Sequence, residues 1–299
     1  MPISMTLGTF TPSVLMRVAR RTGRLAAAGL EITESAVPSS PGQFAALLDG
    51  SLDAVLTSPD NVLAYRYSPT NALDRTTDAR IVSAVDRGMG LGLYGRTDAG
   101  GLRGATFGVD VPGSGFAFAM YALAESIGLD RTDYEIVALG STPKRLQALL
   151  AGDCAATMLN AGNELHAEAA GYRALATVRQ TCSPYLGTVL AIVGDTHADG
   201  AGLVAGALAD TAVAIVAGEL DAEVVAEAAA ALELPEPLAR RYLARLRDPD
   251  EGLVPDGVVD PASIRTIVDL RRRYRPETVD GADVFAPALE AGSGLLAAR

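Results

Sequence analysis

Small hydroxyl and amide side chains recur in this chain where a short apolar segment gives way to a turn. Such groups hold small solutes through neutral hydrogen bonds, and they also cap helices. We predict that the following residues contact a ligand: Thr9, Phe10, Thr11, Ser13, Ser58, Asp60, Asn61, Asp110, Ser114, Gly115, Phe116, Ser141, Thr142, Asn160, Asn163 and Tyr185. The aromatic members offer flat apolar surfaces to a ring or an alkyl stem.

The stretch Thr106–Ser126 indicates how such residues are positioned. Thr106–Val109 predicts a buried strand, and a glycine-rich turn leads from it into a helix that begins near Phe116. The first N–H groups of a helix lack intrahelical partners and lie at the positive end of its dipole, so they form a cradle of the size of an anion. Gly115 would let a ligand approach the backbone, and Ser114 stands at the capping position. The alternative is a strand–helix corner without any ligand.

The chain contains this strand–turn–helix pattern twice. The segments 40–50 and 142–152 match at an offset of 102 residues, and each leads into a short apolar strand, at 53–57 and at 155–159. Polar turns follow both strands. Two similar α/β units of about a hundred residues, with polar turns where strands end, predict two lobes that face one cleft.

Three carboxylates bear on the kind of ligand. If two of Asp60, Asp110 and Glu164 face the cleft, a bare oxyanion is a poor ligand, and a solute with amine or amidine-like N–H donors fits better. In the alternative interpretation, Asp60 and Asp110 cap the helices that follow them. The run Arg271–Arg273 is predicted to be the solvated C-terminal end of a helix, where cations suit the dipole.

The chain also resembles a known family, the substrate-binding proteins of ABC transporters in the sulfonate, taurine, nitrate and thiamine-pyrimidine-precursor class. The resemblance is carried by GTFTPSVLMRVARRTGRLAAAGLEI at 8–32, ALLDGSLDAVLTSPDNVLAY at 46–65, GVDVPGSGFAFA at 108–119, STPKRLQALLAGDCAATML at 141–159 and SPYLGTVLAIV at 183–193. It covers nearly the whole chain in the family's order. It implies a two-lobed α/β fold, the type II periplasmic-binding-protein-like fold, with a ligand cleft between the lobes and two crossings between them. We expect lobe 1 at 1–88 plus 192–299 and lobe 2 at 89–191.

The resemblance implies a solute-binding protein that closes over a small sulfonate, taurine-like or aminopyrimidine-like ligand for an ABC importer. It implies a monomer, an ABC permease as partner, and no cofactor or metal. The alternative is a cytoplasmic enzyme on the same fold, such as a lyase, a desulfinase or a pyrimidine synthase. Residues 1–7 enter the first strand without the basic and apolar regions of a signal peptide, which favours a cytoplasmic protein. A signal removed from the chain would leave it extracytoplasmic.

Composition and motifs argue against several other classes of protein. The formal net charge of −11 argues against nucleic acid and anionic lipid as partners. We expect no membrane insertion, because the apolar segment 201–218 is interrupted by glycine and aspartate. No nucleophile elbow, dinucleotide fingerprint or Walker lysine is present, and the two cysteines lack a metal spacing. Cys154 and His166 are the weak candidates for catalysis.

Overall fold

The computed structural model describes residues 1–96 and 98–297, which form short strands alternating with helices. The strands are β1 (Ile3–Thr9), β2 (Leu30–Ala36), β3 (Ala54–Thr57), β4 (Ala79–Asp86), β5 (Gly92–Gly95), β6 (Thr106–Val109), β7 (Glu135–Ala138), β8 (Ala156–Leu159), β9 (Arg173–Thr177), β10 (Thr188–Val193), β11 (Thr278–Val279) and β12 (Ala282–Asp283). The helices are α1 (Val14–Arg21), α2 (Arg24–Ala27), α3 (Ser40–Asp49), α4 (Pro59–Tyr67), α5 (Ala99–Leu102), α6 (Gly115–Ser126), α7 (Thr142–Ala151), α8 (Asn163–Ala169), α9 (Val178–Thr181), α10 (Ala198–Ala217), α11 (Asp221–Ala231), α12 (Glu236–Arg247) and α13 (Pro261–Tyr274).

Ten of these strands form two separate five-stranded sheets with the same internal order. The first sheet runs β2-β1-β3-β10-β4 and the second runs β7-β6-β8-β5-β9. In each sheet one strand, β10 or β5, is antiparallel to both of its neighbours. The chain leaves the first sheet between β4 and β5 and returns between β9 and β10. We call the layers built on these sheets the first and the second lobe. This confirms the two-lobed α/β fold, whereas the exact lobe boundaries stay a prediction.

The sequence repeat corresponds to repeated structure. Helices α3 and α7, and strands β3 and β8, begin 102 residues apart. Gly50 and Gly152, which end the two helices, both adopt positive φ, at 79° and 86°. Glycine tolerates that conformation without strain, which explains why both helices stop there. Ser13 and Ser114 cap α1 and α6, and each hydroxyl accepts the N–H of the third residue of its helix.

The helices after β10 complete the molecule. Among the described residues, α10 alone is long and apolar enough to cross a membrane by length and composition, and half of its most apolar segment is buried. It packs on β4, β10 and α1, as expected for a core helix. Helix α13 packs on both α4 and α6, and it thereby joins the first lobe to the second. Asp260 caps α13 as its sequence indicates, accepting the N–H groups of Ala262 and Ser263.

Candidate functional site

A cavity lies between the two lobes. Its volume is about 120 Å³. Its wall comes from turns at the ends of strands in both sheets, from the two crossings between the sheets and from α12. Both lobes and both crossings therefore contribute to it.

Four helices of the two lobes begin at this cavity. They are α1, α4, α6 and α7, and their N-cap residues Ser13, Ser58, Ser114 and Ser141 all line the wall. Three of these hydroxyls accept an N–H group of their own helix, but Ser141 makes no such capping bond. The N-terminal ends carry partial positive charge and unpaired N–H donors, so the cavity presents several donors to one solute.

Much of the remaining wall is apolar. Phe10 and Phe116 contribute rings from opposite lobes, and Leu56, Val85 and Leu253 contribute aliphatic side chains from the first lobe. Apolar walls with a few polar groups at fixed positions are typical of sites for small organic solutes. The geometry suits a molecule with a compact apolar part and a polar end.

The lobes are in contact around the cavity. Ser40 of the first lobe donates its hydroxyl to Asp110 Oδ2 of the second lobe at 2.7 Å. On another side, Asn163 Nδ2 donates to Thr11 Oγ1 at 3.3 Å, and Ser141 N–H donates to the carbonyl of Pro38 at 3.1 Å. These contacts close the cleft in this conformation.

Three charged side chains line the described wall: Asp86, Asp110 and Arg145. Burial raises the pKa of Asp86 to about 6, although the carboxyl accepts the N–H of Gly88 at 2.8 Å. Burial also lowers the pKa of Arg145 to about 10, so its guanidinium stays charged at neutral pH. Within the described part of the chain, no group of three or more residues could hold a metal ion.

Thirteen of the sixteen predicted ligand residues lie in the wall of the cavity: Thr9, Phe10, Thr11, Ser13, Ser58, Asn61, Asp110, Ser114, Gly115, Phe116, Ser141, Thr142 and Asn160. Their contact with a ligand stays a prediction. The other three, Asp60, Asn163 and Tyr185, are not part of the wall. Asn163 instead ties the lobes together, and Tyr185 is 5% exposed and packs in the hydrophobic core.

Asp60 has a structural partner that its sequence context did not suggest. Arg271 donates to its two carboxylate oxygens at 2.8 and 2.9 Å, and the guanidinium lies 5.2 Å from the Phe118 ring and 4.8 Å from the Phe285 ring. Arg271 is 1% exposed, so the prediction of a solvated arginine run is wrong at this residue. The capping interpretation of Asp60 is also wrong, since Ser58 caps α4.

Gly115 has a different neighbour from the one expected. A Cβ atom at this position would lie 2.3 Å from Cβ of Asp60 in the opposite lobe. The glycine is therefore required by the close approach of the two lobes. Whether a ligand also approaches it stays a prediction.

The candidate catalytic pair lies outside the cavity wall. His166 Nε2 is 2.7 Å from the carbonyl oxygen of Leu232, and Cys154 packs with Leu146 and Leu149. Burial raises the pKa of Cys154 to about 11, so its thiol is protonated at neutral pH and is a poor nucleophile. Glu164, the third carboxylate considered, lies beneath α12 with Oε1 3.2 Å from Arg245 Nε.

Comparisons with known proteins identify the fold. No family model matches the chain, and no curated protein matches it. Solved structures, in contrast, do match the chain. The alkanesulfonate-binding protein SsuA from Xanthomonas axonopodis pv. citri, bound to MOPS, has a TM-score of 0.71 at 17% identity, over 92% of this chain and 94% of that one. The chain has the periplasmic-binding-protein fold.

Two further structures with this periplasmic-binding-protein fold extend the comparison. The CA3427 gene product of Candida albicans, described as having the generic periplasmic binding protein fold, has a TM-score of 0.70 at 14% identity, over 95% of this chain and 93% of that one. The periplasmic nitrate-binding protein NrtA from Synechocystis PCC 6803 has a TM-score of 0.65 at 11% identity, over 79% of this chain and 69% of that one. At these identities the likeness defines the fold.

Sequence reasoning missed Arg145, although the repeat contains a signal for it. At the offset of 102 residues, Arg145 corresponds to Gln43, which is fully buried and donates to the carbonyl of Leu56 at 3.1 Å. Arg145 Nε likewise donates to the carbonyl of Met158 at 3.1 Å, and Met158 corresponds to Leu56. In both halves of this periplasmic-binding-protein fold, therefore, a long polar side chain at the same helix position donates a hydrogen bond to the backbone of the strand that follows. Asp86 was also missed, because it ends a strand without any turn motif.

Proposed function

We propose that the protein is a solute-binding protein that closes over one small organic molecule and passes it to an ABC importer. The observation that carries the proposal is the cavity between the lobes, which is surrounded by helix N-termini and capping hydroxyls. Its described wall contains no cysteine, histidine or lysine. Such a wall can hold a solute, but among its described residues it lacks a cysteine or lysine nucleophile and a histidine base.

The same arrangement constrains the ligand. Hydroxyl groups and helix N-termini suit the oxygen atoms of a sulfonate or a carboxylate, while Phe10 and Phe116 suit an alkyl stem or a ring. Sulfonates, taurine-like zwitterions and aminopyrimidines all have sizes compatible with a cavity of about 120 Å³. The likeness to an alkanesulfonate-binding protein and to a nitrate-binding protein supports this group of solutes.

Three further statements belong to the proposal. The partner is an ABC permease, the protein is a monomer, and it acts on the outer side of the membrane that the permease spans. Light scattering during size-exclusion chromatography should give about one chain mass, 30.8 kDa. Cell fractionation should recover the native protein outside the cytoplasm. A cytoplasmic location would contradict delivery to an importer.

A thermal-shift screen followed by mass spectrometry tests the function. We expect a member of a panel of alkanesulfonates, amino-sulfonates, aminopyrimidines and small aromatic acids to stabilise the protein. At a hundredfold excess over Kd the gain is about 2.7 kcal/mol, which raises the melting temperature by about 5 °C or more. The compound should be recovered unchanged after incubation. Recovery of a converted product would identify an enzyme and contradict the proposal.

A matched pair of variants locates the binding. Phe116→Ala removes a ring from the cavity wall and should weaken binding about tenfold, since a large apolar contact contributes about 1.5 kcal/mol. Val213→Ala removes an apolar side chain from the exposed face of α10 and should leave the affinity unchanged. Equal effects of both variants would place the solute elsewhere. A strain without the gene should lose uptake of the compound.

A further inference from the structure

Asp110 has an unusual position in the wall of the cavity. It is 9% exposed, and its Oδ2 atom accepts the hydroxyl and the N–H of Ser40, at 2.7 and 3.3 Å. Its Oδ1 atom is buried and has no hydrogen-bond partner among the described residues. One half of the carboxylate therefore holds the lobes together, while the other half is unpaired.

A buried carboxylate oxygen without a donor is unfavourable, so such an atom calls for a partner. Arg145 is the cation of the wall, and its charge acts on Asp110. Its guanidinium is nevertheless engaged, because its three nitrogens donate to the Met158 carbonyl at 3.1 Å, the Gly140 carbonyl at 2.5 Å and Thr142 Oγ1 at 2.9 Å. The described residues supply no donor to Oδ1.

The charge of the described wall favours the same conclusion. With all groups ionised, Asp86 and Asp110 against Arg145 give a formal charge of −1. A simple oxyanion would meet two carboxylates and a guanidinium that already uses three of its five N–H donors. The partial positive charges of the helix N-termini attract an oxyanion, but they leave Oδ1 unpaired. A solute that also carries an N–H donor satisfies both features.

We propose that Asp110 Oδ1 is the subsite for an N–H donor of the solute, so that the ligand is a small amine, amidine or amino-substituted ring. This inference rests on the proposed solute-binding function and specifies its ligand class. A hydrogen bond to a charged carboxylate in a desolvated site is about twice as strong as a neutral one, so this contact selects the amino compound over its analogue without the N–H donor.

Paired probes test the inference. Isothermal titration compares compounds with and without the nitrogen donor: taurine with ethanesulfonate, benzamidine with acetophenone, and 4-aminopyrimidine with pyrimidine. For at least one pair, wild-type protein should bind the N–H-rich member at least about tenfold more tightly. In Asp110→Asn the preference should fall to about threefold or less, because the amide keeps its acceptor for Ser40 but loses the charge.

Asp86→Asn removes the other carboxylate of the wall and tests it as an alternative site for the nitrogen. Asp269→Asn is the control, because Asp269 lies outside the wall in an exposed pair with Arg272 on α13, and it should leave the preference of the wild type intact. Circular dichroism and the melting temperature of each variant show whether the fold is retained. If a variant is unfolded, Ser40→Ala provides a second test, because it keeps the Asp110 charge and should keep the preference.

The outcomes are distinguishable. If wild-type protein binds a sulfonate without discriminating between members of any pair, or if Asp110→Asn keeps the preference, the subsite is wrong and the solute-binding function stands. If Asp86→Asn alone abolishes the preference, the nitrogen binds at the other carboxylate and the inference is overturned. If no probe binds at concentrations up to about 10 mM, both the inference and the function are contradicted.

Discussion

Asp60 and Asp110 are buried aspartates that follow strands in opposite lobes, and the protein pairs their carboxylates differently. Asp60 lies in the first turn of α4, after β3, whereas Asp110 directly follows β6. Asp60 receives both of its hydrogen bonds from Arg271, so its charge is neutralised by the protein. Asp110 Oδ2 accepts the hydroxyl of Ser40, whereas Oδ1 has no partner in the part of the chain that the structure describes.

We propose that this difference separates a structural ion pair from a ligand-binding carboxylate. The side chain of Asp60 packs against Gly115 of the opposite lobe, outside the wall of the cavity, so its pair with Arg271 serves the contact between lobes. Asp110 lies in the wall of the cavity. We infer that these two buried carboxylates have different roles, and that the deciding feature is whether the fold supplies a cation.

The largest expected effect is on the Asp60 pair. Arg271→Met should lower the free energy of unfolding by about 3–5 kcal/mol, because it leaves the buried carboxylate without a counter-ion. Arg240→Met is the control, since Arg240 forms an exposed pair with Glu236 on α12 and should cost at most about 0.5 kcal/mol. Urea unfolding measures both. Similar losses would contradict the assigned role of Arg271.

Glu164 is another buried carboxylate, and the Nε atom of Arg245 lies 3.2 Å from its Oε1 atom. Burial raises its pKa to about 7, against the opposing effect of Arg245. Between the unfolded pKa near 4.5 and about 7, the folded protein binds more protons than the unfolded chain. Its contribution to stability is therefore present at low pH and is lost as the pH rises through this window.

Glu164→Gln tests this pH dependence. Relative to the wild type, the variant should gain up to about 3 kcal/mol between pH 4.5 and pH 7, as judged by urea unfolding across that range. Glu236→Gln, on the exposed side of α12, should follow the wild-type curve. A constant difference between Glu164→Gln and the wild type would show that this carboxyl does not titrate as its burial requires.

The direct test of the comparison changes each aspartate in the same way. Asp60→Asn should cost about 2 kcal/mol, because Arg271 is left with an uncompensated charge. Asp110→Asn should stay within about 1 kcal/mol of the wild type, because the Ser40 bonds are retained and an unpaired charge is removed. Chemical unfolding of the two variants under one condition provides the measurement. A larger loss of stability in Asp110→Asn than in Asp60→Asn would contradict the roles assigned to the two aspartates.

The smallest effect is expected at Gly115, where the second lobe packs against Asp60. Gly115→Ala puts a methyl group where Asp60 lies, and overpacking of this kind costs about 1–2 kcal/mol of the closed form. Ligand affinity should fall by about tenfold, as measured by titration. Gly206→Ala is the control, since a Cβ there meets open space. Unchanged affinity in Gly115→Ala would mean that the lobes need not approach so closely.

The sequence was informative where the signals are local. The repeat at 102 residues predicted the matching helices α3 and α7, because both start with a Pro-containing turn and end at a glycine with positive φ. Strand-end turns predicted most of the cavity wall. Asp60 and Arg271 are 211 residues apart, and no local pattern joins them. Burial of Arg271 follows only from the packing of α13 on both lobes, which a helix-end pattern cannot reveal.

A crystal structure of the protein with the most tightly bound amine of the probe panel tests the central claim most directly. We predict that the solute lies in the cavity between Ser13 and Ser114, with its nitrogen about 2.7–3.2 Å from Asp110 Oδ1. The Asp60–Arg271 pair should remain as it is. A solute outside the cavity, or one that places an oxyanion against Asp110, would contradict the account.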